Sequence, residues 1–209
     1  TADPNVVNNN DTNYVYIDKT ATPLNKLCLF FPGSGGKPAE YHLFLLTAAK
    51  MGYHTIGLSY NNNKTVGALC NGQPSDCQGL LRAEVLYGKD YSPVVSVDSS
   101  ESIRTRTVAL LKYLNKNYPA DNWGQFLNGD SIIWSKVFVT GHSQGAGMAS
   151  IIAYWYNVYR GVFLACGGDW DTTTHNVADW MGMPSVTPAS KKYSFTHRED
   201  ELFWGSKLN

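Results

Sequence analysis

Charge is scarce in this chain. Only 16% of its 209 residues are Asp, Glu, Lys or Arg, against a typical ~25%. Seventeen Lys and Arg balance seventeen Asp and Glu, so the formal net charge is zero. Without a basic excess there is nothing to neutralise phosphates, and nucleic acid is excluded as a partner. Long apolar runs are missing as well, since none approaches the ~18 residues that a membrane-spanning helix needs. Packing residues, by contrast, are plentiful. Tyr 13, Trp 6 and Phe 8, within a hydrophobic fraction of 43%, exclude a disordered chain. The length suits a single domain over residues 1–209 with a substantial core.

Cysteines number only four. Cys28 and Cys166 fall in apolar segments and read as buried thiols. Cys70 and Cys77 bracket a polar loop (CNGQPSDC) and are expected to form a local disulfide. Two N-x-[ST] patterns, at Asn10 and Asn63, lie in Asn-rich, loop-like surroundings and mark candidate glycosylation sites. The first residue is Thr1 rather than Met, which points to a removed leader or trimming. Together these features suggest a secreted or lumenal location.

Apolar strands alternate with amphipathic helices along the chain. Strand-like runs occur at 14–17, 26–31, 54–60, 136–140, 161–166 and 192–196. Helical patterns follow Pro38, which suits a first helical turn, occupy about 103–114, and run from about Gly145 to Tyr156. Asp98-Ser-Ser-Glu101 has capping-box form at the head of the second helix. Continuous apolar strands separated by helices predict an α/β fold, a mostly parallel central sheet with helices on both faces. Residues 61–101 break this rhythm. They are far longer than the two to six residues common for a strand-to-helix connection and contain the Cys70–Cys77 pair. They read either as a surface excursion or as a cap-like insertion over a site.

Gly141-His-Ser-Gln-Gly145 carries the chemistry. It follows the strand KVFVT and opens a helix, so the chain must turn sharply at Ser143. Flanking glycines remove side chains that would collide across that turn. Ser143 Oγ is then presented at a strand's carboxyl end with a helix N-terminus beneath it. That dipole favours negative charge developing on an attacked carbonyl. The oxyanion donors expected are the backbone amides of Gln144 and of Ser34 in the loop Pro32-Gly-Ser-Gly-Gly36, with Gly33 the neighbouring candidate. A phosphate cradle is disfavoured, because the loop lacks the G-x-x-x-x-G-K-[ST] pattern.

With these residues in hand the chain resembles the α/β-hydrolase superfamily. It is similar in particular to a little-characterised group of predicted secreted hydrolases with a Pro-Gly-Ser/Thr-Gly-Gly loop, a strand-borne Gly-His-Ser-Gln-Gly and a later Thr-His-x-x-Asp-Glu. The last element is Thr196-His-Arg-Glu-Asp200-Glu201, and the resemblance runs from about Lys26 to Glu201. It implies a serine hydrolase acting on esters or related acyl bonds, with no metal and no cofactor. It also implies the order Ser, acid, His. Asp200 matches the acid, with Asp169 and Asp171 as alternatives after the preceding strand.

No histidine follows Asp200. The candidate bases are therefore His197 and His175, or a histidine beyond Asn209. In the last case the chain lacks the superfamily's final strand and helix. The substrate expected is a small-molecule or lipid-like ester, and the oligomeric state stays open. A different class also fits the composition: a non-catalytic, hydrolase-like module binding a ligand or carbohydrate through aromatics that include Trp170, Trp180 and Trp204.

Overall fold

The computed structural model describes residues 4–166, 168–170 and 177–200. Six strands form the main sheet: β1 (Tyr14–Tyr16), β2 (Leu27–Phe31), β3 (His54–Gly57), β6 (Val137–His142), β7 (Arg160–Leu164) and β8 (Lys192–Phe195). A small hairpin of β4 (Leu127–Asn128) and β5 (Ser131–Ile132) lies apart. The main sheet has the order β1-β3-β2-β6-β7-β8. β1 runs antiparallel to β3, and every other pairing is parallel. The helices are α1 (His42–Lys50), α2 (Val66–Leu69), α3 (Cys77–Tyr87), α4 (Ile103–Asn117) and α5 (Gln144–Trp155).

The continuous apolar character of β2 has a direct cause. Strand side chains alternate between faces, and both faces of this sheet are covered. Leu27, Leu29 and Phe31 join the large core with Leu81, Leu86, Leu111 and Ala149 from α3, α4 and α5. Cys28 points the other way, with Ala48 of α1 and Phe138, and Phe30 packs against Phe44 of α1 with ring centroids 5.0 Å apart and planes tilted by 47°. Burying each such side chain is worth about 1.5–3 kcal/mol. The predicted mostly parallel sheet covered on both faces is therefore what forms.

Three local expectations are corrected. Pro38 opens a single 3-10 turn, Pro38–Tyr41, before α1 begins at His42. Asp98 caps nothing with its side chain; Ser102 caps α4 instead, accepting from the Thr105 amide at 3.2 Å. Glu101 is drawn away by the N-terminal arm, accepting from the Val7 and Asn8 amides and the Asn8 side chain. Trp180 is not a surface aromatic. It is 3% exposed and belongs to the core.

Residues 61–101 are bound into the molecule. Cys70 and Cys77 are disulfide-bonded, as expected, with Cα atoms 5.7 Å apart. α3 starts at Cys77 and buries Leu81, Arg82, Val85 and Leu86, so the middle of the insertion is a core helix. Cys28 is a buried thiol, whereas Cys166 is only half-buried.

Candidate active site

The carboxyl ends of β2 and β6 lie side by side, with Phe31 paired to Gly141. α5 starts two residues after β6 closes on its neighbours, and Ser143 makes the turn with φ 53° and ψ −120°. A non-glycine residue in that region costs on the order of 1–3 kcal/mol and persists only where its surroundings fix it. They do so here. The Ser143 amide donates to the Leu164 carbonyl at 2.9 Å. A Cβ on Gly145 would fall 2.0 Å from the Phe31 carbonyl oxygen, and one on Gly141 would fall 2.5 Å from the Gly145 backbone. Both flanking glycines are thus demanded by backbone contact across the turn. Ser143 Oγ has no hydrogen-bond partner among the described residues.

The loop after β2 lies against this turn. A Cβ on Gly33 would come within 3.4 Å of Ser143 Cβ. Three residues outside the sequence motifs hold that loop. Tyr60 donates from its hydroxyl to the Pro32 carbonyl (2.9 Å), and burial pushes its phenol pKa well up, keeping it a donor. The Asn62 side chain donates to the Gly33 and Gly36 carbonyls at 2.6 and 2.9 Å. Tyr41 accepts from the Gly33 amide at 3.3 Å and sits 3.1 Å from His142 Nδ1. The Ser34 hydroxyl in turn donates to Gln144 Oε1 at 2.6 Å, tying the two loops together. The Gly33 amide is therefore engaged, while the amides of Ser34 and Gln144 have no acceptor among the described residues. In sequence Tyr60 closes a strand-like run and Asn62 opens the insertion, and nothing there signals their reach into the loop.

A cleft of about 600 Å³ opens over Ser143. Thr65, Val66 and Asn71 line one wall, so the front half of the 61–101 insertion flanks the site. The floor holds a buried ion pair. Arg82 reaches Asp169 through Nε (2.5 Å) and Nη2 (2.6 Å), and its Nη1 donates to the Gln144 carbonyl at 3.1 Å. Trp180 Nε1 adds a bond to Asp169 Oδ2 at 2.9 Å. Burial opposes the guanidinium charge, but the Asp169 charge and hydrogen bonds outweigh it and raise the Arg82 pKa. Removing one member would strand a buried charge, a loss of about 3–5 kcal/mol.

The candidate acids and bases fall in different places. Both Asp169 oxygens already serve Arg82 and Trp180. Asp200 is half-buried just past β8, its amide donating to the His197 carbonyl at 3.0 Å. Its charge acts on the half-buried Cys166 thiol, which lines the cleft. Burial first, then Asp169 and Asp200, push that thiol up. Exposed His197 accepts the Glu199 amide at Nδ1 (3.2 Å). Buried His54 bonds the Asp121 carbonyl, and exposed His42 bonds the Ala39 carbonyl. His175 and Asp171 lie outside the described residues, as does Trp204. Asn10 and Asn63 are both exposed.

Among the described residues no group of three or more His, Cys, Asp and Glu is placed to hold a metal ion, and no helix is long and apolar enough to cross a membrane. No protein-family model matches the sequence. No curated protein matches it significantly. Among solved structures, the chain is similar to an acetyl xylan esterase from Aspergillus awamori, with TM-score 0.40 and 15% identity over 80% of this chain and 52% of that one. It is similar to a thermophilic esterase from the planctomycete Thermogutta terrifontis, with TM-score 0.41 and 14% identity over 80% and 53%. An alpha/beta hydrolase enzyme from a Medee basin deep-sea metagenome library aligns with TM-score 0.42 and 16% identity over 94% and 79%. The chain spans about half the length of the first two.

Proposed function

We propose that the protein is a serine hydrolase that cleaves a carboxylic ester through an acyl-enzyme on Ser143. One observation carries this reading. Ser143 is held at φ 53° and ψ −120° at the head of α5, and the nearby amides of Gln144 and Ser34 have no acceptor among the described residues. A strained serine whose hydroxyl has no partner among the described residues, near two backbone donors and a helix N-terminus, suits attack on a carbonyl.

In the proposed reaction Ser143 Oγ loses its proton to a histidine and bonds to the ester carbonyl carbon. The amides of Gln144 and Ser34 hold the resulting oxyanion. The intermediate collapses by breaking the carbon–oxygen bond to the alcohol, which leaves with the histidine's proton. Water then repeats the sequence and frees the acid. Asp200 is the carboxylate proposed to orient the histidine, because it stands just past β8 in the Thr196-His-Arg-Glu-Asp200 element that matches the acid position. The base proposed is His175 or His197. A small-molecule or lipid-like ester is the proposed substrate class. The Cys70–Cys77 disulfide and the exposed Asn10 and Asn63 support a secreted or lumenal location.

The second reading, a non-catalytic module binding its ligand in the same cleft, draws on the lack of a base beside Ser143 among the described residues. Hydrolysis of p-nitrophenyl acetate separates the two. Turnover that Ser143→Ala abolishes, and that Asp200→Asn lowers by at least about 10²-fold, is the outcome expected of the enzyme. Equal rates with and without the Ser143 hydroxyl would leave only the binding module. Activity retained in His175→Ala would remove His175 as the base.

A further inference from the structure

Arg82 stands out because a buried guanidinium is an expensive way to fill the floor of a cleft. It is 2% exposed, yet three of its nitrogens have acceptors. Two bonds go to Asp169, in the loop after β7, and the third goes to the carbonyl of Gln144. Trp180 fixes Asp169 from the far side. The network therefore ties α3 of the insertion, the first turn of α5 and the loop after β7 at one point. Its third bond ends on the residue whose amide is the proposed oxyanion donor.

The neighbouring chain is shaped around that guanidinium. A Cβ on Gly147, one turn into α5, would lie 2.1 Å from Arg82 Nη2 and 2.7 Å from Cζ. Glycine inside a helix is otherwise disfavoured relative to alanine, so its presence marks room kept for the planar fork. A lysine could neither grip Asp169 with two parallel bonds nor reach Gln144 with a third.

We infer that Arg82 is a positioning residue, holding Gln144 and the loop after β7 in the arrangement that oxyanion stabilisation requires. This rests on the serine-hydrolase reading above. Arg82 touches no reacting atom and acts through the placement of Gln144. Misplacing an oxyanion donor weakens an interaction made chiefly in the transition state, so the loss should appear in kcat and leave KM nearly alone.

The test uses two variants that disturb the fork from opposite sides while leaving a positive charge in place. Arg82→Lys shortens and narrows it, and Gly147→Ala collides with it. For each, circular dichroism reports folding, fluorophosphonate labelling counts competent serines, and p-nitrophenyl acetate kinetics are expressed per labelled serine. The expected result is folded protein with kcat at least tenfold lower, KM within threefold and a parallel fall in labelling rate. Folded variants with kcat within twofold of the parent would overturn the inference. So would failure of both variants to fold, which would make the pair a stability element alone. If the unmodified protein does not label at Ser143, the parent reading fails instead, and the role of Arg82 falls with it.

Discussion

Gly145→Ala probes the elbow where its geometry is tightest. The new methyl would begin 2.0 Å from the Phe31 carbonyl oxygen and 2.5 Å from that of Pro32. Both contacts are backbone, so no side chain can swing aside. Restoring ordinary contact at about 3.4 Å requires β2 and the start of α5 to part by about 1.4 Å. A displacement near 1 Å at reacting groups is enough for a loss of about 10²-fold. Overpacking of this kind also destabilises by about 1–3 kcal/mol. For a chain of this size that is a fall in Tm of roughly 2–12 °C. The comparison is Gly182→Ala, where an added Cβ meets nothing within 4 Å. Calorimetry and p-nitrophenyl acetate kinetics on both variants decide the matter. Gly145→Ala should lose at least about 10²-fold in kcat with a lowered Tm, while Gly182→Ala changes neither. A Gly145→Ala protein with kcat within threefold and an unshifted Tm would refute the steric account of the turn.

Two further predictions concern the scaffold. Replacing Cys70 and Cys77 by serine reopens a short loop and should destabilise by about 2 kcal/mol, seen as a lower Tm; iodoacetamide should add two groups to the unfolded, unreduced protein and four after reduction. Burial tends to raise the Glu101 pKa, but bonds from the Asn8 side chain and the Asn8 and Val7 amides outweigh it and leave it lowered. Its stabilising contribution is thus complete above the ordinary carboxylate pKa and fades as pH falls through the lowered folded value. Glu101→Gln should flatten the acid limb of a urea-stability profile, and an unchanged limb would remove Glu101 from that role.

Some features could be read from residues alone and others could not, for physical reasons. The continuous apolar run Leu27–Phe31 announced a strand covered on both faces, because no polar side chain is needed where neither face meets water. Gly141 and Gly145 announced the turn, because only a missing Cβ allows that approach of backbones. The misplaced α4 cap shows the opposite case. Asp98-Ser-Ser-Glu101 and Ser102 offer competing local caps, and the choice is made by an arm 93 residues away that claims Glu101. The same holds for Arg82 and Asp169, 87 residues apart. In sequence Asp169 is an alternative catalytic acid and Trp180 a ligand-binding aromatic, since neither one's partners leave a trace in local spacing. The roles of Tyr60 and Asn62 are hidden for that reason too, since the loop carbonyls they serve lie 26–29 residues away.

The central claim is that Ser143 is an activated nucleophile. Intact-mass spectrometry after a fluorophosphonate tests it directly. The account predicts one adduct per chain, mapped by peptide sequencing to Ser143 and absent from Ser143→Ala. Folded protein that takes up no adduct, or an adduct that persists in Ser143→Ala, would contradict it.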